Sequence, residues 1–281
     1  MQAQIGLMIE GQAGLNWTRW DRVLKMAEDV GFQCVFRSDH YTNAAPPDMD
    51  SLELFVSLTY AATHTRHIEF GSLVAPVTFR HPTMTLRQAA QIDDLSGGRL
   101  ILGLGAGWQE REHTKFGIPF YDFKTRFEQL TDALEITRAL QTATEPVSFQ
   151  GRHISINEAL LLPRPARRTP ILIGGNGPRR TLPLAAKYAD EWNGVFIDAP
   201  TYAERSTRLD ELLAAEGRPA NAVKRSMMMP FDWVSGDGGT ERIDAYIQAG
   251  CQRFMLQIVE YDDLSEIEQW ARTNLPRFSR S

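Results

Sequence analysis

Cysteine is scarce: only Cys34 and Cys251 occur in 281 residues, so no disulfide framework is available. A chain of this length buries enough surface to need no such staples. Both cysteines fall in or beside expected buried strands and read as structural thiols. There is no Cys-x-x-Cys pair and no Cys/His cluster with zinc spacing, so no metal site is expected. No run of about 18 apolar residues is present, which excludes a membrane-spanning helix. The opening MQAQIGLMIEGQ lacks a basic region leading into an apolar one, so no leader is expected and a cytoplasmic location is the default. Charge of one sign is not in excess. Thirty basic and 35 acidic residues give a net charge of −5, without the footprint of nucleic-acid or acidic-membrane binding. Also missing are a Gly-x-Ser-x-Gly elbow, a Walker loop and a kinase signature.

What is present is an alternation of short β-rich runs and longer runs with helical spacing. Strands are expected at Gln4–Ile9, Gln33–Phe36, His67–Val74, Arg99–Gly103, Pro170–Ile173, Glu191–Phe196, Ser226–Val234 and Arg253–Ile258. Helices are expected at Trp17–Val30, Ser51–His64, Pro82–Leu95, Lys124–Leu140, Arg179–Tyr188, Thr201–Ala215, Thr240–Ala249 and Ser265–Asn274. An insertion at about 141–169 contains a hairpin turning at Gln150-Gly151 and a proline-marked link. Eight strand-helix units over 1–281 point to the α/β class and to one closed (β/α)8 TIM barrel. An open doubly wound sheet fits less well. Glu10-Gly-Gln-Ala-Gly14 stands where its Gly-x-Gly-x-x-Gly turn belongs.

In such a barrel, chemistry sits just after the strands. The second strand leads into Arg37-Ser-Asp-His-Tyr41, where His40 can exchange a proton near neutrality and Asp39 can orient it. The plain alternative is a solvated loop histidine. His113 is a secondary candidate in the loop after the fourth strand. That loop, Gly103-Leu-Gly-Ala-Gly-Trp-Gln-Glu-Arg-Glu-His113, combines glycines that permit close approach with Trp108 and the acids Glu110 and Glu112. The segment Leu73-Val-Ala-Pro-Val-Thr-Phe-Arg-His-Pro82 is either a rigid helix entry or a backbone wall for a flat ligand. After the fifth strand, Gly174-Gly-Asn-Gly-Pro-Arg-Arg180 opens a helix and reads as a phosphate site, against the plainer reading of a glycine-rich turn. Trp192 and Met227-Met-Met229 read as core. Together these residues describe a barrel enzyme with a phosphate-bearing ligand such as a flavin-type nucleotide.

The stretches Ser38-Asp-His-Tyr41, Thr78-Phe-Arg-His-Pro82, Gly105-Ala-Gly-Trp-Gln-Glu-Arg-Glu-His113 and Pro170-Ile-Leu-Ile-Gly-Gly-Asn-Gly177 with Ala189-Asp-Glu-Trp-Asn193 resemble the luciferase-like monooxygenase superfamily, in its deazaflavin (coenzyme F420)-dependent oxidoreductase branch. The resemblance implies a bacterial luciferase-like barrel that passes a hydride between F420 and a small organic substrate. His40 would serve as proton acid/base, with Glu110 or Glu112 as its acidic partner; Glu110 is taken as the catalytic one. It also implies cofactor contacts at Asp39, Leu73, Val74, Ala75, Ala106, Trp108, Gly174, Gly175, Asn176 and Gly177, with a cis peptide at Leu73–Val74. Trp108 stands where sugar-phosphate dehydrogenases of this branch carry glutamate, which weakens the case for a sugar phosphate. The alternative is an FMN-dependent two-component monooxygenase using reduced flavin and oxygen. Below both lies a non-catalytic flavin-binding barrel. A homodimer and a flavin or F420 reductase as redox partner are further expectations of the resemblance.

Overall fold

The computed structural model describes residues 3–278. The strands β1 (Gln4–Ile9), β2 (Cys34–Arg37), β3 (Glu69–Ser72), β4 (Ala75–Pro76), β5 (Leu100–Gly105), β8 (Ile171–Gly174), β9 (Glu191–Val195), β10 (Lys224–Pro230) and β11 (Arg253–Ile258) form one parallel sheet. Its order is β3-β2-β1-β11-β10-β9-β8-β5-β4, and an added β3–β5 pairing closes it into the expected eight-stranded barrel. β6 (Val147–Gln150) and β7 (Ser155–Ala159) make a separate antiparallel hairpin in the insertion.

The helices are α1 (Trp17–Val30), α2 (Leu54–His64), α3 (Pro82–Leu95), α4 (Glu110–Phe116), α5 (Phe123–Thr142), α6 (Thr181–Tyr188), α7 (Ala199–Ala215), α8 (Asp232–Ser235), α9 (Gly239–Gln248) and α10 (Ser265–Phe278). Their ends follow local chemistry. Asn16 caps α1 by accepting the Arg19 amide, and Gly31 ends it at φ +90°. Asp122 caps α5 and Asp198 caps α7 in the same way. Among the described residues no helix is long and apolar enough to cross a membrane.

Three expectations need correction. The third strand does not run to Val74. It stops at Ser72, and the chain bulges through Leu73–Val74 before Ala75–Pro76 rejoins β5. The seventh strand ends at Pro230 rather than Val234, and one helical turn, α8, follows. The stretch 110–116 is not loop but helix α4. Its charged run carries too few apolar residues to show a helical stripe.

The β3–β5 seam is exceptionally close. A Cβ on Gly71 would lie 2.0 Å from the Ile101 carbonyl oxygen, and one on Gly103 would lie 2.0 Å from that of Ser72. Between them, Ser72 Oγ donates to the Gly103 carbonyl and accepts from its amide, at 2.9 and 3.0 Å. Only glycine permits this approach. Gly71→Ala should therefore destabilise the barrel by about 3 kcal/mol, at the upper end for overpacking. A urea midpoint unchanged from the parent would contradict this close contact.

Candidate active site

A cleft of about 550 Å³ opens at the C-terminal ends of the strands. Its walls include Leu73, Val74, Pro76, Ala106, Trp108, Phe123, Phe127, Val195, Phe196 and Met228. Its polar side chains are Glu10, Gln12, Ser38, His40 and Thr181.

His40 is set by its position just after β2 and by Glu112 from α4. Its Nδ1–H donates to Glu112 Oε1 at 2.9 Å, and the Tyr41 backbone N–H donates to Oε2 at 3.0 Å. Glu112 is only 1% exposed, so this carboxylate is fully committed to two partners. An ionised carboxylate only accepts, which assigns the proton to Nδ1 and leaves Nε2 as the acceptor of the neutral ring. Nε2 has no protein partner among the described residues, while the ring meets Trp108 edge-on at 5.5 Å. Burial pushes the imidazole down, but the hydrogen bond and charge of Glu112 more than offset it, so its pKa lies above the ordinary 6.5.

Glu110, the acid taken as catalytic from the sequence, is not at His40. It is exposed on the first turn of α4, and Glu112 faces His40 instead. The two differ because residues two apart on a helix point to different sides. His113 is fully buried. Its Nδ1 donates to the Gln109 carbonyl and its Nε2 accepts from Thr78, so it holds α4 against the segment after β4.

Asp39 does not line the cleft. Its carboxylate is held by Arg80 at 2.5 and 3.2 Å, and Arg80 also reaches Glu53 at 2.5 Å and the Tyr41 hydroxyl at 3.2 Å. Burial pushes the Asp39 carboxyl up against the pull of Arg80. The network is a brace behind the histidine. Arg37, fully buried and pushed down to about 10 by burial, extends it by bonding Ser57 and the Leu52 carbonyl.

The Leu73–Val74 peptide is cis, and both residues line the cleft. Ala75 is buried in β4 beside them. Gly105 and Gly174 keep this wall flat, since a Cβ on either would meet Val74, at 2.5 and 3.2 Å. Gly174 and Gly175 also line the cleft. Asn176 instead spends its side chain on the Val195 backbone, accepting from its amide at 2.9 Å and donating to its carbonyl at 2.7 Å. The loop then enters α6, which begins at Thr181 rather than Arg179. The amides of Gly177, Arg179 and Arg180 have no protein acceptor among the described residues. Arg180 lies over the Phe123 ring at 5.1 Å. Trp192 is core, as expected, and donates to the Gly175 carbonyl. Met228 is both core and cleft floor.

Comparison with known proteins gives the family and the fold. The model of the luciferase-like monooxygenase family matches residues 2–278. The chain belongs to that family. It is 30% identical over 260 residues to the F420-dependent hydroxymycolic acid dehydrogenase of Mycobacterium tuberculosis, covering 91% of this chain and 69% of that protein. It is 31% identical over 172 residues to the F420-dependent glucose-6-phosphate dehydrogenase of Amycolatopsis mediterranei, covering 61% of this chain and 50% of that one. The match thus spans about half the length of the glucose-6-phosphate dehydrogenase. A solved F420-dependent secondary alcohol dehydrogenase in complex with an F420-acetone adduct shares the fold along the full length of both chains, with a TM-score of 0.89 at 17% identity.

Glu10, Gln12, Phe123, Phe127, Phe196 and Arg80 were not singled out in the sequence as site residues. Glu10 and Gln12 follow the first strand directly, which was signal enough; the phenylalanines come from helices and loops distant in sequence.

Because the folded pKa of His40 is raised, the protonated ring stabilises the fold fully below pH 6.5, and this contribution is lost as pH rises through the higher folded value. Glu112→Gln removes the charge that raises the His40 pKa most, so that pKa should fall below the parent's. Histidine-ring NMR titration of the two proteins checks this; equal pKa values would contradict the pairing.

Proposed function

We propose that this chain is an F420-dependent oxidoreductase that moves a hydride between the deazaflavin and a small organic substrate, with His40 as the proton acid/base. The observation that carries the reading is the His40–Glu112 pair beside a flat, largely apolar cleft. The names of the relatives that match this chain point the same way.

The residues present fit the cofactor. The wall made by Leu73 and Val74, kept flat by Gly105 and Gly174, suits a planar ring. The loop 174–180, with its free amides at the start of α6 and the nearby Arg179, suits a phosphate. A bound deazaflavin supplies the carbon that takes or gives the hydride. Everything else falls to the chain. Glu112 fixes the tautomer and ring orientation of His40, so that Nε2 takes a proton when substrate is oxidised and returns it when substrate is reduced. The Asp39–Arg80 brace holds the backbone that carries His40. Buried Leu73 and Met228 give the reacting pair apolar walls.

Turnover is read as the rise or bleaching of F420 absorbance with a panel of small alcohols and ketones. His40→Ala should lower kcat by about 10²–10⁴-fold, the usual range for losing a general acid/base, while F420 still binds. A variant with unchanged kcat would overturn the role given to His40.

A further inference from the structure

The end of the cleft formed by β1 and β11 carries a hydrogen-bonded relay separate from the His40–Glu112 pair. The Gly11 amide donates to Ser38 Oγ at 2.9 Å, and Ser38 Oγ–H donates to Gln12 Oε1 at 2.8 Å. With its oxygen so engaged, Gln12 turns its Nε2 amide on Glu10 Oε2 at 2.9 Å. From β11, Gln257 Nε2 donates to the other oxygen, Oε1, at 2.6 Å. Glu10 is thereby fixed in one orientation at the cleft surface. Each donor uses one lone pair, and a carboxylate has about four acceptor positions, so it keeps acceptor capacity for a ligand. A donor is the only uncharged partner that this group rewards.

The second observation concerns charge. Among the described residues no lysine or arginine lines the cleft, and Glu10 is its acidic side chain. Arg80, in the brace behind His40, is already shared by Asp39 and Glu53. An anionic substrate would meet the Glu10 carboxylate, and the cation that the cleft can offer, the His40 ring, is already paired with Glu112. In a cleft with largely apolar walls that mismatch is poorly screened.

Resting on the oxidoreductase reading given above, we infer that Glu10 is a specificity residue: the substrate is an uncharged, largely apolar molecule that presents a hydroxyl donor to Glu10, and phosphorylated or carboxylated molecules are rejected. The role inferred for Glu10 is recognition of the substrate. It selects by charge and by hydrogen-bond sense, and Gln12, Ser38 and Gln257 position it.

Three matched probes test this on the full chain: cyclohexanol, its methyl ether and cyclohexyl phosphate. Binding is followed by the shift of the His40 ring resonances, so that an anion on the α6 loop is told apart from one in the cleft. Cyclohexanol should bind at least about tenfold more tightly than either of the others. Glu10→Gln should narrow the gap between alcohol and phosphate by a similar factor, because the charge is gone while the shape is kept. Equal binding of alcohol and ether, or binding of the phosphate as tight as that of the alcohol, in the parent protein would overturn the inference without any variant. An F420 titration of the same parent sample separates the two readings. Failure to bind F420 with the probe ranking intact would remove the cofactor assignment and support the selectivity of Glu10.

Discussion

The carboxylate of Glu112 ties together two pieces of chain that the barrel alone does not hold, the end of β2 and helix α4. One oxygen takes the His40 Nδ1 proton and the other the Tyr41 backbone N–H. Both bonds are shielded from water, so each is stronger than it would be in solvent. The ring orientation, its tautomer, its raised pKa and the free Nε2 edge all follow from this one contact. The remaining contacts of α4 serve to keep it in place. His113 pins the helix to Thr78, Gln109 donates to the Thr42 carbonyl, and Arg111 bonds Asp48 at 2.6 and 2.9 Å.

The same device, a carboxylate holding backbone amides, stabilises connections far from the site. Glu28 on α1 accepts the amides of Arg66, His67 and Ile68, fixing the turn into β3. Asp132 on α5 accepts those of Arg152, His153 and Ile154, fixing the inserted hairpin against the barrel. Inside the barrel, the floor is ionic: buried Arg253 meets Glu69 and Glu191 and takes Gln4 as a further acceptor. Above it lies an apolar layer that includes Phe36, Ile101, Leu172 and Met255. The cleft therefore rests on a rigid plug, and its variable chemistry is confined to the loops and strand ends.

The barrel was legible because hydrophobic alternation and helix punctuation agree along most of the chain. β1, α1, α3 and β11 run between the residues expected for them. Legibility failed where a short element has no periodicity of its own. Helix α4 is seven residues of mostly charged side chains, and its helical identity depends on burying Glu112 and His113 against partners elsewhere in the chain. That is why Glu110 and Glu112 were indistinguishable in sequence, although only one of them reaches His40. Asp39 and Asn176 illustrate the complementary case. Both sit in suggestive motifs, yet their side chains are committed to Arg80 and to the Val195 backbone. Motif position pointed to the cleft; only three-dimensional pairing separated the side chains that line it from those that brace it.

We infer that this cleft is built for a deazaflavin, with its proton chemistry carried by a histidine locked from behind. Parallel binding titrations with F420 and FMN, each oxidised and reduced and followed by tryptophan fluorescence, test it most directly, because Trp108 stands on the lip of the cleft and 64% exposed. Tight binding of F420 with weak binding of FMN is the predicted result. A preference for reduced FMN would contradict the account and place the chain among the two-component monooxygenases.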